Sequence, residues 1–285
     1  MKKIALLADL TKYKLSLAVT LSAATGYFIS GNGIQSSFVA LVSGIFLLTS
    51  GAAALNQFTE RGSDALMERT RNRPIPSYRI DPLHALYISI FLIAAGLIIL
   101  SFSGIIPVLL AALAIILYNL AYTKLKKITV LSVVPGALVG VLPPLIGYTS
   151  AGGALHSGEI IIFSSFMFLW QLPHFWIILI RFREDYRRAG FSTFRAGFSE
   201  LQIKMLVFFW VSVTTSMLIV FSVRELVFSW LLNSMLIILN LIFILIFYSS
   251  LFGKNENRSI MSAFILINSF SLLVMILFIL NSLLR

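Results

Sequence analysis

Seven stretches of this chain, between 19 and 45 residues long, contain no Asp, Glu, Lys or Arg, and together they cover 212 of its 285 residues. A helix needs about 20 apolar residues to cross the hydrocarbon core of a bilayer. Only 12% of the residues are charged and mean hydropathy is +0.95, whereas a soluble domain is about a quarter charged. These observations exclude a water-soluble enzyme and predict an all-α, polytopic membrane protein forming a single domain over 1–285.

The span count follows from turn chemistry. The two longest stretches, 15–59 and 82–123, each carry a polar, glycine-bearing break near the middle, Ser30-Gly31-Asn32-Gly33 and Ser101-Phe102-Ser103-Gly104. Each break predicts a helical hairpin. The remaining stretches hold one span each, and the third ends in the soft tail Thr149-Ser150-Ala151-Gly152-Gly153. The sum is nine transmembrane helices, which puts the termini on opposite faces. With the N-terminus inside, 20 of the 22 Lys and Arg fall in inside segments, leaving only Arg224 and Arg285 outside. That asymmetry is the positive-inside pattern, and it predicts a cytoplasmic N-terminus and an external C-terminus. The net charge of +11 then reflects topology and anionic headgroups, with no call for nucleic acid as a partner. Asp9, Lys12 and Lys14 interrupt any short apolar core near the start, against a cleavable signal. With no cysteine, three scattered histidines and no phosphate-binding glycine loop, disulfides, thiolate metal sites and nucleotide-driven transport lack support.

Charge of both signs collects in two inside loops, about 56–81 and 181–204. In the first, Asn56, Glu60 and Asp64 recur every fourth residue. If the second span continues helically past Leu55, the three stack on one face. Hard oxygen donors in such a stripe suit Mg2+, which takes one or two carboxylates and completes its shell with water and substrate phosphate. Arg69 and Arg73 repeat the spacing and offer guanidinium forks to phosphate oxygens, before Pro74 and Pro76 end the helix. The alternative is a solvated juxtamembrane loop. It accounts for Arg61, Arg71 and Arg79 but poorly for three oxygen donors at a helix end entering lipid.

The run from Asn56 to Asp64, with Met67-Glu68-Arg69-Thr70-Arg71-Asn72-Arg73-Pro74 after it, resembles the first signature of the UbiA superfamily of intramembrane prenyltransferases. More narrowly it is similar to the protohaem farnesyltransferase branch, which Glu60 favours over the quinone and chlorophyll branches. Tyr122-Thr123-Lys124-Leu125-Lys126-Lys127, Pro143-Pro144-Leu145-Ile146-Gly147, Trp170-Gln171-Leu172-Pro173-His174-Phe175-Trp176 and Asp185-Tyr186-Arg187-Arg188-Ala189-Gly190 fit the same pattern. The resemblance spans the chain and implies a bundle with a central cavity opening to the cytoplasm. It implies transfer of a farnesyl group from farnesyl diphosphate to a vinyl group of haem B, giving haem O, with Mg2+ as cofactor and haem as substrate. It further implies residence in the inner membrane, with a haem A-forming oxygenase as a potential partner. Asn56, Glu60, Asp64 and Asp185 become the expected metal ligands, Arg69 and Arg73 their catalytic neighbours, and Tyr122, Lys124, His174, Tyr186 and Arg188 the expected substrate contacts. Asp185 could instead pair with Arg181 or Arg188, and His174 could simply be a hydrogen-bonded membrane histidine. Among the three lysines of the third inside segment, Lys124 is the expected site residue. One departure stands out: after Gly190 the chain reads Phe191-Ser192-Thr193-Phe194, where the haem branch continues with a proline-containing run. A quinone-precursor prenyltransferase and a nine-span transporter are the competing functions.

Overall fold

A computed structural model describes residues 2–191, 199–224, 230–253 and 256–284; the departure at 192–194 lies outside the described residues. The described residues are helical, without strands. They form α1 (Lys2–Thr11), α2 (Tyr13–Ile29), α3 (Ser36–Leu66), α4 (Pro82–Ser101), α5 (Ile105–Ile116) and α6 (Thr123–Ile128). These are followed by α7 (Val133–Ser150), α8 (Gly158–Arg181), α9 (Arg183–Arg188), α10 (Glu200–Val223), α11 (Trp230–Leu251) and α12 (Glu256–Leu283). A π-helical stretch, Leu117–Tyr122, joins α5 to α6, so these three pieces make one span, Ile105–Ile128. Among the described residues eight helical runs are long and apolar enough to cross a membrane. The 17-residue α2 is the ninth apolar helix of the bundle. The protein is a multi-pass membrane protein.

Both expected hairpin breaks occur where the turn residues stand. Gly31 and Gly33 at φ 71 separate α2 from α3, and Gly104 at φ 113 separates α4 from α5, a backbone region that glycine enters without penalty. The chain also bends at Lys12, φ 47, which divides α1 from α2 and lays α1 along α3.

The helices close into a ring. α3 packs on α4 and α2, α2 on α7, α7 on α5 and α8, α8 on α10 and α12, and α12 returns to α2. Two apolar cores result. One is rich in phenylalanine and lies among α8, α10, α11 and α12, around Phe163, Phe166, Phe221, Phe247 and Phe278. The other, around Tyr27, Leu41, Ile45, Leu100 and Ile146, joins α2, α3, α4, α5 and α7. Between lipid-facing helices there is little hydrophobic drive, so close packing has to hold them. α2 and α7 meet backbone to backbone: a Cβ on Gly147 would overlap the Ala23 carbonyl, and one on Gly26 would overlap that of Pro144. Gly147→Val should therefore cost about 1–3 kcal/mol or more of stability through overpacking, whereas Gly158→Ala, with open space around it, should be near neutral. Thermal unfolding in detergent checks this pair.

Candidate active site

α3 runs eleven residues beyond Leu55 to Leu66, so Asn56, Glu60 and Asp64 do lie on one face. Their exposures are 2%, 3% and 0%, which a solvated loop cannot produce. All three line a single cavity of about 420 Å3. Buried charge must be paired or it costs several kcal/mol, and each acceptor has its own basic partner. Lys12 Nζ donates to Asn56 Oδ1 at 3.4 Å, and Lys126 Nζ donates to Glu60 Oε2 at 2.7 Å. Arg73 Nη1 donates to both Asp64 oxygens at 2.8 and 2.7 Å. The three cations come from the α1–α2 bend, from α6 and from the turns after α3. Lys12 is so enclosed that burial, with Arg73 and Lys126 nearby, lowers its pKa to about 7.

The segment after α3 departs from expectation. The helix ends at Leu66, not at the prolines, because Met67 is extended at φ −96 and ψ 130. Thr70 Oγ1 donates to the Asp64 carbonyl at 2.9 Å, closing the helix end. Arg69 and Arg73 therefore do not continue the α3 stripe. Turns bring Arg73 back onto Asp64, and Arg69 lies over the Phe182 ring at 4.5 Å with its head at the cavity.

Three further expected site residues stand elsewhere. Both oxygens of Asp185 accept main-chain N–H groups, of Glu68 and Arg69, at 3.1 Å each. Asp185 thus pins α9 to the strand of chain leaving α3, neither facing the cavity nor pairing with Arg181 or Arg188. Arg188, 56% exposed, pairs with Glu68 at 3.7 Å. Lys124 is exposed outside the cavity, and Lys126 takes the place expected for it. The physical reason is spacing: Lys126 lies four residues from the cavity-lining Tyr122, on the same helix face, whereas Lys124, two residues away, is on the opposite side.

The other expected contacts do line the cavity. The Tyr122 ring packs on Phe175 at 5.5 Å. Tyr186 sits beside Phe191 at 5.5 Å, its hydroxyl pKa raised by burial. His174 is clamped between Trp170 at 4.9 Å and Phe264 at 5.4 Å. Residues the sequence reading missed are Lys12, Tyr118, Gln171 and Asn268, while Lys126 was a candidate passed over for Lys124. Below the polar head the walls become apolar and small, with Ala18, Ala52, Ala53, Gly136 and Gly140 along the way. The cavity is amphipathic, with a cationic mouth over a greasy shaft.

The donor set fits a hard divalent cation: two carboxylates and an amide oxygen, buried together, facing shared space. Among the described residues no third acidic, histidine or cysteine side chain joins them. Water and a substrate's phosphate oxygens would complete such a shell, the usual habit of Mg2+.

Comparison with known proteins identifies the family. The model of the UbiA prenyltransferase family matches residues 18–280. This chain belongs to that family. The UbiA member described here is 39% identical over 197 residues to a protein named protoheme IX farnesyltransferase from Geobacter sulfurreducens, covering 69% of this chain and 73% of that one. It is 36% identical to a like-named protein of Anaeromyxobacter dehalogenans, covering 74% and 70%. It also shares the fold of a UbiA homologue from Archaeoglobus fulgidus solved with GPP and Mg2+, with TM-score 0.76 at 17% identity over 98% of both chains. A homologue from Aeropyrum pernix without ligand gives TM-score 0.68 at 17% identity, covering 92% and 98%.

Removing the Lys126 ammonium should raise the dissociation constant for a prenyl diphosphate at least tenfold, about 1.4 kcal/mol. Lys124→Met should change it by no more than about twofold, as for other surface substitutions. Calorimetric titration of the purified Lys126→Met and Lys124→Met proteins checks the contrast.

Proposed function

We propose that this protein transfers a farnesyl group from farnesyl diphosphate to a vinyl group of haem B, giving haem O and diphosphate, with Mg2+ as cofactor. The observation that carries the reading is the buried stripe Asn56–Glu60–Asp64, met by Lys12, Lys126 and Arg73, at the head of an otherwise apolar cavity. Such a cavity suits a substrate with a polyanionic head and an isoprenoid tail. The acceptor comes from the names of the relatives, at 35–45% identity over half to three quarters of the chain.

Asn56, Glu60 and Asp64 would hold the metal ion, which when bound neutralises the charge that grows on the departing diphosphate. Lys12, Lys126, Arg69 and Arg73 supply the remaining positive charge from preorganised positions, the main source of rate in such sites. To do so Lys126 and Arg73 would turn from the carboxylates they hold in this structure to the diphosphate oxygens. The apolar shaft holds the tail and keeps water from the allylic cation formed when the C1–O bond breaks. The vinyl group's π electrons attack C1, and the resulting haem-side cation takes up water and loses a proton, leaving the hydroxyethylfarnesyl substituent. Asp185 acts as a positioning residue through the Glu68 and Arg69 amides it holds. His174, Tyr122 and Tyr186 are assigned to substrate contact. The positive-inside asymmetry supports an inner-membrane enzyme with its mouth toward the cytoplasm.

Membranes containing the protein, given farnesyl diphosphate, Mg2+ and haem, should yield the mass of haem O and one diphosphate per haem consumed. Product with 4-hydroxybenzoate but not with haem would transfer the assignment to a quinone-type acceptor. No diphosphate release with either would remove the catalytic reading. Asp64→Asn should lower turnover by about 100-fold or more, the scale of losing one preorganised electrostatic contact, while the protein still folds and inserts. Near-normal rates would remove Asp64 from the site.

A further inference from the structure

The reaction proposed above creates two charges, and the groups named so far serve only one of them. Metal ion, lysines and arginines all face the departing diphosphate. The allylic cation left at C1 therefore forms beside a cluster of its own sign. A carboxylate near C1 would capture it as an ester. A stabiliser that cannot form a bond is needed, and an aromatic face meets that need through its quadrupole.

The π-helical stretch Leu117–Tyr122 provides such faces. π turns are rare and concentrate at functional sites, because the extra residue re-aims the side chains that follow. Here Tyr118 and Tyr122 both line the cavity, with rings 6.0 Å apart and 10° from parallel. The distortion is tied directly to the ligand stripe. Thr123 Oγ1 donates to the Tyr118 carbonyl at 2.8 Å and accepts from Asn56 Nδ2 at 3.2 Å. The two rings are not equivalent. Lys126 Nζ already lies 5.3 Å from the Tyr122 ring centre, which demonstrates that this wall receives cations. Tyr118 lies four residues before Tyr122, further along the chain from Lys126, and lines the same cavity as Asn56 and Glu60. C1 of a prenyl chain whose diphosphate sits at Asn56 and Glu60 enters that shared space.

We propose that Tyr118 is a catalytic residue whose ring face stabilises the allylic cation. As the C1–O bond breaks, the bonding pair leaves with the diphosphate oxygen. The positive charge spread over C1 and C3 rests against the Tyr118 ring until the acceptor's π electrons form the new bond to C1. The hydroxyl takes no part in this step. The inference rests on the prenyl-transfer reading, whatever the acceptor.

Single-turnover rates and substrate affinities of variants at position 118 test it. Tyr118→Phe keeps the face and should stay within about threefold of the unaltered protein. Tyr118→Leu should lose roughly 30-fold in the chemical rate, matching a desolvated cation–π contact of about 2 kcal/mol, with prenyl diphosphate affinity nearly unchanged. Replacing Tyr118 by phenylalanines carrying one, two and three ring fluorines, which drain the face without changing its shape, should lower the logarithm of the rate stepwise. That series carries the test if the leucine variant fails to fold, since packing alone would not respond to fluorination. A flat fluorine series, or a leucine variant within threefold, overturns the assignment while leaving prenyl transfer intact. An unaltered protein that releases no diphosphate with any acceptor overturns the prenyl-transfer reading itself and the Tyr118 assignment with it.

Discussion

Two carboxylates buried at the mouth of a membrane bundle demand counter-charge, the amide beside them demands a donor, and much of the local architecture answers both. Asp64 is buried, and a lone carboxylate there would be costly. The chain brings three cations from three separate places. Lys12 arrives because the first helix breaks at a left-handed residue. Lys126 arrives from α6, four residues past the cavity-lining Tyr122 on the same helix face. Arg73 arrives because the segment after α3 coils back. The breaks at Lys12 and after Leu66 are local departures from ideal helix that bring a cation to the stripe.

In the proposed reaction the same pairing has a second use: Asn56, Glu60 and Asp64 would hold a metal ion, and Lys126 and Arg73, released from the carboxylates, would face the phosphate oxygens of a prenyl diphosphate. Beneath it, small side chains on α2, α3 and α7 leave a shaft that an isoprenoid tail can fill. The close contact at Gly26 and Gly147 joins α2 and α7, two of the helices that line it. The proposed site and the packing thus share helix α3, one half of which belongs to the core around Leu41, Ile45 and Leu48 while the other carries Asn56, Glu60 and Asp64.

Much of this was legible in the sequence. Uncharged runs and glycine breaks gave the helices, and a repeat of four placed Asn56, Glu60 and Asp64 on one face because α3 is regular through that stretch. The other expectations met local geometry that residue type does not announce. Lys124 seemed the site lysine, but Lys126, four residues from Tyr122, shares the cavity-facing side of the helix and reaches Glu60. Arg69 and Arg73 looked like a continued stripe, but extended Met67 ended the helix eight residues before Pro74. Asp185 resembled a metal ligand, yet it serves two main-chain amides, a role with no signature in residue type or spacing. Lys12 was hidden among basic residues that topology alone would explain, since its burial depends on a fold of more than forty intervening residues.

The most direct test replaces Mg2+ with Mn2+ and reads its ligands by pulsed electron paramagnetic resonance, using protein labelled with carbonyl-13C aspartate and glutamate and an inert prenyl diphosphate analogue. The account predicts 13C coupling from carboxylates together with 31P coupling, with the 13C signal reduced in Glu60→Gln and again in Asp64→Asn. Bound Mn2+ with undiminished 13C coupling and affinity in the double variant would place the metal elsewhere and contradict the account.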